Sequence, residues 1–451
     1  MNKVKFAVVG IGRMGGAHAL LLLFGLVKNA ALAAVCDVSE DARARFLKRG
    51  GKRAKKIPVF SDYKEMANGA KFDAVIVAVP HYSHVEIAKF FIGRGKHTLI
   101  EKPVAVTERA AADFNAFLDE PSKLDIEKTV VLTERGAADF DAFLDARGEP
   151  PVEKSIAETA TDFGERGKSP IEKTAEETGR GTARFNAFSA ARGGAAAVMY
   201  NQRTNPVYKK AKALIDAGAL GEIRRADFIV TDWYRSDAYY KNNSWRASWS
   251  GEGGGILINQ CVHQLDILQW LIGLPESVYA KMFTKGRDIT AENEVAALLR
   301  YKNDAVCVLR ASGRELNGAN RIEIAGDRGR LVMGKYSMKY ISWEPSEPEV
   351  NTRTVKGYGG APKRVRRYFY GPRVVPDLIL GQQRRVVANF AAHILNGTDL
   401  IAPAKEGIRA LSLINGIYLS AWEGREVAFP IDALRYERML NEKAGNEKKV
   451  L

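Results

Sequence analysis

A glycine fingerprint framed by two strands constrains this chain more than any other feature. Val4, Phe6, Ala7, Val8 and Val9 form an apolar run of the buried-strand type. Gly10-Ile11-Gly12-Arg13-Met14-Gly15 then supplies a tight turn, and Ala17 to Leu26 reads as a packed helix. A second short apolar strand, Leu32 to Val35, is followed by Asp37, 22 residues past Gly15. Gly10 permits the turn, Gly12 lets the backbone approach a pyrophosphate, and Gly15 lets the helix sit close to the strand. The helix N-terminus then faces the phosphate charge. Asp37 is placed to accept hydrogen bonds from the adenosine ribose hydroxyls and to repel a 2′-phosphate. No arginine follows it before Arg43, so the pattern predicts NAD in preference to NADP.

The alternation continues. Val59-Phe60 reads as a short strand, Asp62 to Ala67 as a helix, and Ala74 to Val79 as an apolar strand ending at Pro80. A helix from Ser83 to Gly93 leads to the strand His97 to Ile100. Strands alternating with helices predict an α/β fold, a Rossmann-type parallel sheet with its ligand edge at the carboxyl ends of the strands. Val79, Pro80, His81, His84, Glu101 and Lys102 are expected at that edge, alongside Ile11, Arg13 and Met14 of the glycine turn.

Beyond Asn205-Pro206 the pattern changes. A helix from Val207 to Ala217 precedes strand-like runs at 223 to 234, 294 to 301, 305 to 313, 321 to 325 and 330 to 333. Helices return at 256 to 272, 381 to 396 and 405 to 421. Runs of strands with few helices between them predict a second α+β domain with an open, largely antiparallel sheet. The expected division is residues 1–205 for the nucleotide domain and 206–451 for substrate binding and oligomer contacts.

Within the first domain the chain repeats itself. Glu-Lys pairs at 101, 127, 153 and 172 are spaced 26, 26 and 19 residues apart, and AADFNAFLD at 111 to 119 returns as AADFDAFLD at 137 to 145. The copies decay, and Gly, Pro, Glu and Lys dominate from 146 to 182. A solenoid needs similar units that stack to bury a core, so the region at about 120–190 reads as a tandem duplication forming a partly disordered surface excursion.

The formal charge of +15 raises the question of nucleic acid, but the basic runs Lys48 to Lys56 and Arg364 to Arg367 lack interleaved stacking aromatics. They read as solvated faces, with no nucleic-acid partner expected. No apolar run approaches the ~20 residues of a membrane helix, and no leader pattern opens the chain. Three cysteines, Cys36, Cys261 and Cys307, form no CxxC pair and fit a reducing compartment, so a cytoplasmic location is expected. No metal site is expected.

The second domain carries one chemically suggestive segment, Gly253-Gly254-Gly255-Ile256-Leu257-Ile258-Asn259-Gln260-Cys261-Val262-His263-Gln264-Leu265-Asp266. Helical spacing puts Asn259, His263 and Asp266 on one face, beside an apolar stripe of Ile258, Val262, Leu265 and Leu268.

GIGRMG with Asp37, Glu101-Lys102-Pro103 directly after a strand, and GGGILINQCVHQLD together resemble the Gfo/Idh/MocA family of oxidoreductases. The run Pro403 to Pro430 resembles that family's closing helix and strand. The resemblance implies hydride transfer between NAD and a secondary hydroxyl of a sugar, sugar derivative or cyclic polyol, in a homo-oligomer such as a dimer or tetramer. It also implies Lys102 and His263 as the catalytic pair. Removing hydride from a carbinol carbon requires the hydroxyl proton to leave too, so a base must reach that oxygen. His263 is that base, and Lys102 orients the hydroxyl and stabilises alkoxide charge.

One departure stands out: some members carry an aspartate four residues before the histidine, where this chain has Asn259. Asn259, Arg203, Tyr234, Arg235, Trp245 and Arg246 are expected substrate contacts, since aromatic faces and guanidinium forks suit a sugar ring. The same fold implies two alternatives, a redox-neutral NAD-dependent glycoside-cleaving enzyme and a non-enzymatic NAD-binding regulator.

Overall fold

The structure, a computed structural model, describes residues 3–120, 194–241, 245–354, 357–371 and 380–450. The expectation of a repeat excursion at about 120–190 lies outside the described residues. The first copy of the repeated helix, at 111 to 119, lies inside them.

Six parallel strands make the first sheet: β1 (Val4–Val9), β2 (Ala30–Cys36), β3 (Val59–Phe60), β4 (Ala74–Val77), β5 (His97–Ile100) and β6 (Ala196–Val198). Their order is β3-β2-β1-β4-β5-β6, the doubly wound arrangement with its switch point between β1 and β4. Helices α1 (Arg13–Leu23), α2 (Glu40–Ala54), α3 (Tyr63–Gly69), α4 (His84–Ile92) and α5 (Glu108–Asp119) connect or flank the strands. The first helix begins at Arg13, inside the fingerprint, rather than at Ala17. Side-chain caps fix several starts: Ser39 accepts from Ala42 N, Asp62 from Lys64 N and Glu65 N, and Thr107 from Ala110 N.

After α6 (Pro206–Asp216) the chain builds a nine-stranded sheet. Its members are β7 (Ile223–Val230), β8 (Ser277–Phe283), β9 (Glu294–Arg300), β10 (Val306–Ser312), β11 (Asn320–Gly326), β12 (Gly329–Met333), β13 (Ser337–Trp343), β14 (Lys363–Phe369) and β15 (Val427–Ala428). The order is β14-β13-β12-β11-β7-β10-β9-β8-β15, and β7 with β10 is its one parallel pair. The alternation is plain in β9, where Val295, Ala297 and Leu299 face inward and Ala296, Leu298 and Arg300 face out. The buried face packs on α8 (Val262–Ile272) and α11 (Gly407–Glu423), with Leu265, Leu268, Leu411 and Ile414 sharing one core with Val278, Leu299 and Leu309. Short helices α7 (Asp237–Lys241) and α9 (Glu347–Arg353) sit in connecting segments.

The division at 205 is not clean. Helix α10 (Gly381–Asn396) returns from the C-terminal half to the first sheet, where Val386, Val387, Phe390 and Ala391 share a core with Phe6, Val8 and Leu22. The rings of Phe6 and Phe390 lie 6.3 Å apart. In the other direction, Val104, Val106 and Phe114 join the core of the second sheet. A two-sided parallel sheet must be covered on both faces, and the segments adjacent in sequence do not suffice. A final helix, α12 (Ala433–Val450), was not foreseen; its Tyr436 ring stacks on Trp422 at 5.4 Å. No helix among the described residues is long and apolar enough to cross a membrane.

Candidate active site

The glycine turn meets the demands its sequence implied. Gly10 has φ +81°, and a Cβ there would lie 2.5 Å from the carbonyl oxygen of Ala78. A Cβ at Gly15 would lie 1.7 Å from the carbonyl oxygen of Gly10, so only glycine lets α1 lie this close to β1. At Gly12 a Cβ would meet nothing within 4 Å, which leaves open space beside an exposed helix start formed by Arg13 and half-exposed Met14. The turn is tied to Asp37, whose Oδ2 accepts from Ile11 N at 2.7 Å and whose Oδ1 accepts from Ser39 N at 2.9 Å. Arg43 folds back along α2 and donates to the carbonyl oxygens of Asp37 and Val38 at 2.7 and 3.1 Å. These residues fit a dinucleotide: an open backbone approach, a helix N-terminus and an acidic group at the end of β2.

Two residues expected to contact cofactor have other partners. The His84 ring nitrogens lie 2.7 Å from the Pro103 carbonyl oxygen and 2.8 Å from that of Val79, so this buried imidazole braces the ends of β4 and β5. The Glu101 carboxylate is buried and engaged within the protein, with Oε1 2.8 Å from His18 Nε2 and Oε2 accepting from Lys102 N at 3.2 Å. Burial pushes Glu101 upward, but the His18 hydrogen bond and charge outweigh it and hold the carboxyl below its ordinary value.

Lys102, beyond the end of β5, reaches across to the second domain. Its Nζ donates to the Asn259 carbonyl oxygen at 2.7 Å and to Asn259 Oδ1 at 3.3 Å. Burial, with Arg246 and Arg235, holds the amine below its ordinary value, against the opposite pull of Glu101 and Glu252. The expected single α-helix starts instead as a π-helical turn, Leu257–Cys261, a widening that recurs at functional sites. Glu292 fixes its entry, with Oε2 accepting from Gly255 N and Oε1 from Leu257 N, both at 2.9 Å. His263 follows on α8. It is half-buried with Nδ1 unpartnered among the described residues, and burial and then Lys102 push its pKa down to about 3.

Asp266, expected on the same face as Asn259 and His263, is turned into the core instead. It is buried and takes Arg203 in a two-pronged ion pair, at 2.9 Å through Nε and 2.6 Å through Nη2. Arg203, expected to bind substrate, is itself buried and also donates to Glu406 and to the Ile401 carbonyl oxygen. The pair ties β6 and α8 to the segment before α11. Four of the five guanidinium N–H bonds are taken up within the protein, and the side chain is buried.

The remaining expected contacts cluster. Arg246 lies 4.6 Å from the Tyr239 ring centroid and 4.8 Å from that of Trp245, and its Nη1 donates to the Tyr239 hydroxyl. Arg235 lies 4.8 Å over Tyr239 from its own side. Trp245 meets the His81 ring edge-on at 6.1 Å. Tyr234 is 36% exposed, with Arg287 rather than Arg246 over its ring at 5.6 Å.

Glu252, His18 and Tyr239 were missed. Glu252 is 1% exposed; its Oε2 accepts from Ala247 N at 2.7 Å, and its Oε1 accepts from Asn259 Nδ2. Burial raises its pKa to about 7. An acid directly before a triple glycine was the available signal, since a side chain there is carried into whatever the glycines approach.

The family profile "Oxidoreductase family, NAD-binding Rossmann fold" matches residues 4–124, and "GFO/IDH/MocA C-terminal domain" matches residues 208–332. Among curated proteins, glucose-6-phosphate 3-dehydrogenase of Bacillus subtilis (strain 168) is 33% identical over 108 residues, which is 24% of this chain and 28% of that protein. The chain thus spans little more than a quarter of that relative. Myo-inositol 2-dehydrogenase of Thermotoga maritima is 22% identical over 339 residues, covering 73% of this chain and 74% of that protein. Among solved structures, the WlbA dehydrogenase from Bordetella pertussis in complex with NADH and UDP-GlcNAcA superposes with a TM-score of 0.67. It is 21% identical and covers 96% of this chain and 99% of that one, a likeness of fold.

Proposed function

The chain belongs to the Gfo/Idh/MocA family of oxidoreductases, and from that premise we propose that it moves a hydride between NAD and a secondary hydroxyl of a sugar, sugar derivative or cyclic polyol. The observation that carries this reading is Lys102 held on Asn259, beside His263 with its free Nδ1, at the carboxyl edge of the parallel sheet. The sequence relatives add support, since the two described above are named as dehydrogenases of a sugar phosphate and of a cyclic polyol.

Gly10, Gly12 and Gly15 with the start of α1 would hold the pyrophosphate, and Asp37 the adenosine ribose. Bound NAD supplies the hydride acceptor. Lys102 gives two of its three N–H bonds to Asn259 and keeps one for the substrate oxygen. An ammonium fixed there stabilises negative charge as it develops on that oxygen. His263 is neutral at pH 7 and can take the hydroxyl proton. Burial and the Lys102 charge disfavour an imidazolium there, so His263 would hold the proton only in passing. Arg235, Arg246, Tyr239 and Trp245 flank the place where a sugar ring would lie and favour one with an acidic substituent.

We read the open sheet face as the contact for a second copy. Tyr279, Leu298 and Val308 stand in register across β8, β9 and β10 and are 42, 48 and 46% exposed. Leu298→Lys is expected to halve the particle mass measured by light scattering. An unchanged mass would remove this face from the assembly. Cys36, Cys261 and Cys307 are buried and free, in keeping with a cytoplasmic setting.

The functional test is nicotinamide absorbance with NAD and a panel of hexoses, uronates, inositols and glycosides. NADH formed with a secondary alcohol supports the dehydrogenase. Aglycone release without NADH would assign redox-neutral cleavage, and NAD binding with neither would assign a regulator.

A further inference from the structure

The Lys102–Asn259 contact does not end at Asn259. The same side chain that accepts from Lys102 through Oδ1 donates through Nδ2 to Glu252 Oε1. Glu252 is fixed from two other directions: Oε2 accepts from Ala247 N at 2.7 Å, and its carbonyl oxygen lies 3.1 Å from His81 Nδ1. We propose that Glu252 is a positioning residue that keeps Lys102 in its ammonium form, acting through the Asn259 amide.

A primary amide suits this place for a simple reason. Its oxygen accepts from a cation while its NH2 donates to an anion, so it joins Lys102 and Glu252 with both ends satisfied. An aspartate at 259 would instead face Glu252 carboxylate to carboxylate. Asn259 and Glu252 are therefore a matched set: the chain lacks the acid at 259 and carries one seven residues earlier, behind an amide that relays its effect. A carboxylate this buried is tolerated only beside positive charge, and the cations that act on it are Arg246 and Lys102.

The charges that face Lys102 come from every neighbouring element. Glu101 adjoins it on its own strand end; Glu252 and Arg246 lie on the loop before the glycine run; Arg235 follows β7. His263 on α8 and the His81 and His84 imidazoles before and on α4 also feel its charge. Burial and the arginines push the amine toward its neutral form, and Glu101 and then Glu252 oppose them. Glu101 acts by charge from beside the lysine while hydrogen-bonded to His18; Glu252 is the acid joined to the Lys102 head group through a side-chain hydrogen-bond chain.

This rests on the reading that Lys102 acts at the reacting oxygen, but its test needs neither substrate nor NAD. Lys102 in the full-length protein is labelled with acetic anhydride across a pH series, and its modification is followed by mass spectrometry of the peptide. Only the neutral amine reacts. Glu252→Gln is expected to move the labelling midpoint to lower pH, making Lys102 about tenfold more reactive below the midpoint, while Glu252→Asp stays near the parent. A folded Glu252→Gln protein with an unmoved midpoint overturns the proposal. Should Glu252→Gln not fold, Glu252→Ser serves, because it too removes the carboxylate behind Asn259 and must lower the midpoint. A midpoint that stays or rises in that folded variant overturns the proposal equally. If the midpoints move as expected while Lys102→Ala retains full turnover, the link between the residues stands and the catalytic reading fails.

Discussion

Lys102 Nζ donates at 2.7 Å to the backbone carbonyl oxygen of Asn259, a residue 157 positions away in sequence. The lysine comes from the end of a parallel strand and the carbonyl from the widened start of a helix in the second domain. The proposed site therefore lies where the end of β5 meets the widened helix start, and its lysine nitrogen is aimed by backbone as well as by side chain.

Lys102→Met is expected to lower turnover by about 100- to 10,000-fold, the range for removing a positioned polar group from the reacting atoms. The NAD dissociation constant should stay within about twofold, since the glycine turn and Asp37 are untouched. Stopped-flow kinetics with fluorescence titration of NADH checks both. Undiminished turnover would take Lys102 out of the mechanism.

The last two glycines of the fingerprint should fail differently. At Gly12 a methyl group meets nothing within 4 Å, so Gly12→Ala should fold with a small loss of thermal stability but bind NAD at least about tenfold more weakly. At Gly15 the methyl would strike the Gly10 carbonyl, so Gly15→Ala should lose several degrees in Tm along with binding. Calorimetry on the two apo proteins separates the outcomes. Equal Tm losses would contradict the geometry.

Arg203 is expected to behave as a structural residue. Arg203→Met leaves Asp266 buried without its cation, at a cost of about 3–5 kcal/mol. Denaturant unfolding should show that loss, and KM of whatever protein remains folded should be unchanged. A raised KM without lost stability would return Arg203 to the ligand.

His263 should make the protein acid-sensitive. Its folded pKa, about 3, lies below the ordinary 6.5, so between those values the unfolded chain binds the proton more readily. The ring's contribution is intact above about pH 6.5 and is lost as pH falls toward about 3. Glu252 and Glu292, both raised to about 7 by burial, act in the opposite sense in acid, so the comparison is between parent and variant. From about pH 7.5 to about pH 5, the parent should lose more Tm than His263→Gln. Equal losses would mean the ring is as easily protonated folded as unfolded.

Much of the fold was legible because its signals are local. The β1 run, the glycine turn and the apolar β4 carry their own periodicity, and the expected helix at 381 to 396 matches α10 residue for residue. What that helix packs against was not legible. Phe390 reads as an ordinary apolar position until Phe6 appears opposite it. Spacing likewise put Asp266 with Asn259 and His263, but the π-helical turn and the pull of Arg203 assign it to the core. His84 and Glu101 sit where cofactor-edge residues are expected, yet their polar atoms found partners within the protein.

By itself the sequence determined the chemistry available: a dinucleotide turn that only glycines allow, an acid after the second strand, a lysine at a strand end, and a histidine after a glycine run. These follow from short-range sterics and hydrogen bonding, which act over a few residues. Tertiary structure decided which polar groups remain free to act. Arg203 and Glu101 are bound within the protein, while Lys102, Asn259 and Glu252 come into line across the domain junction. That outcome depends on burial and on distances between segments remote in the chain, and a buried polar group must find its partner wherever the fold supplies one.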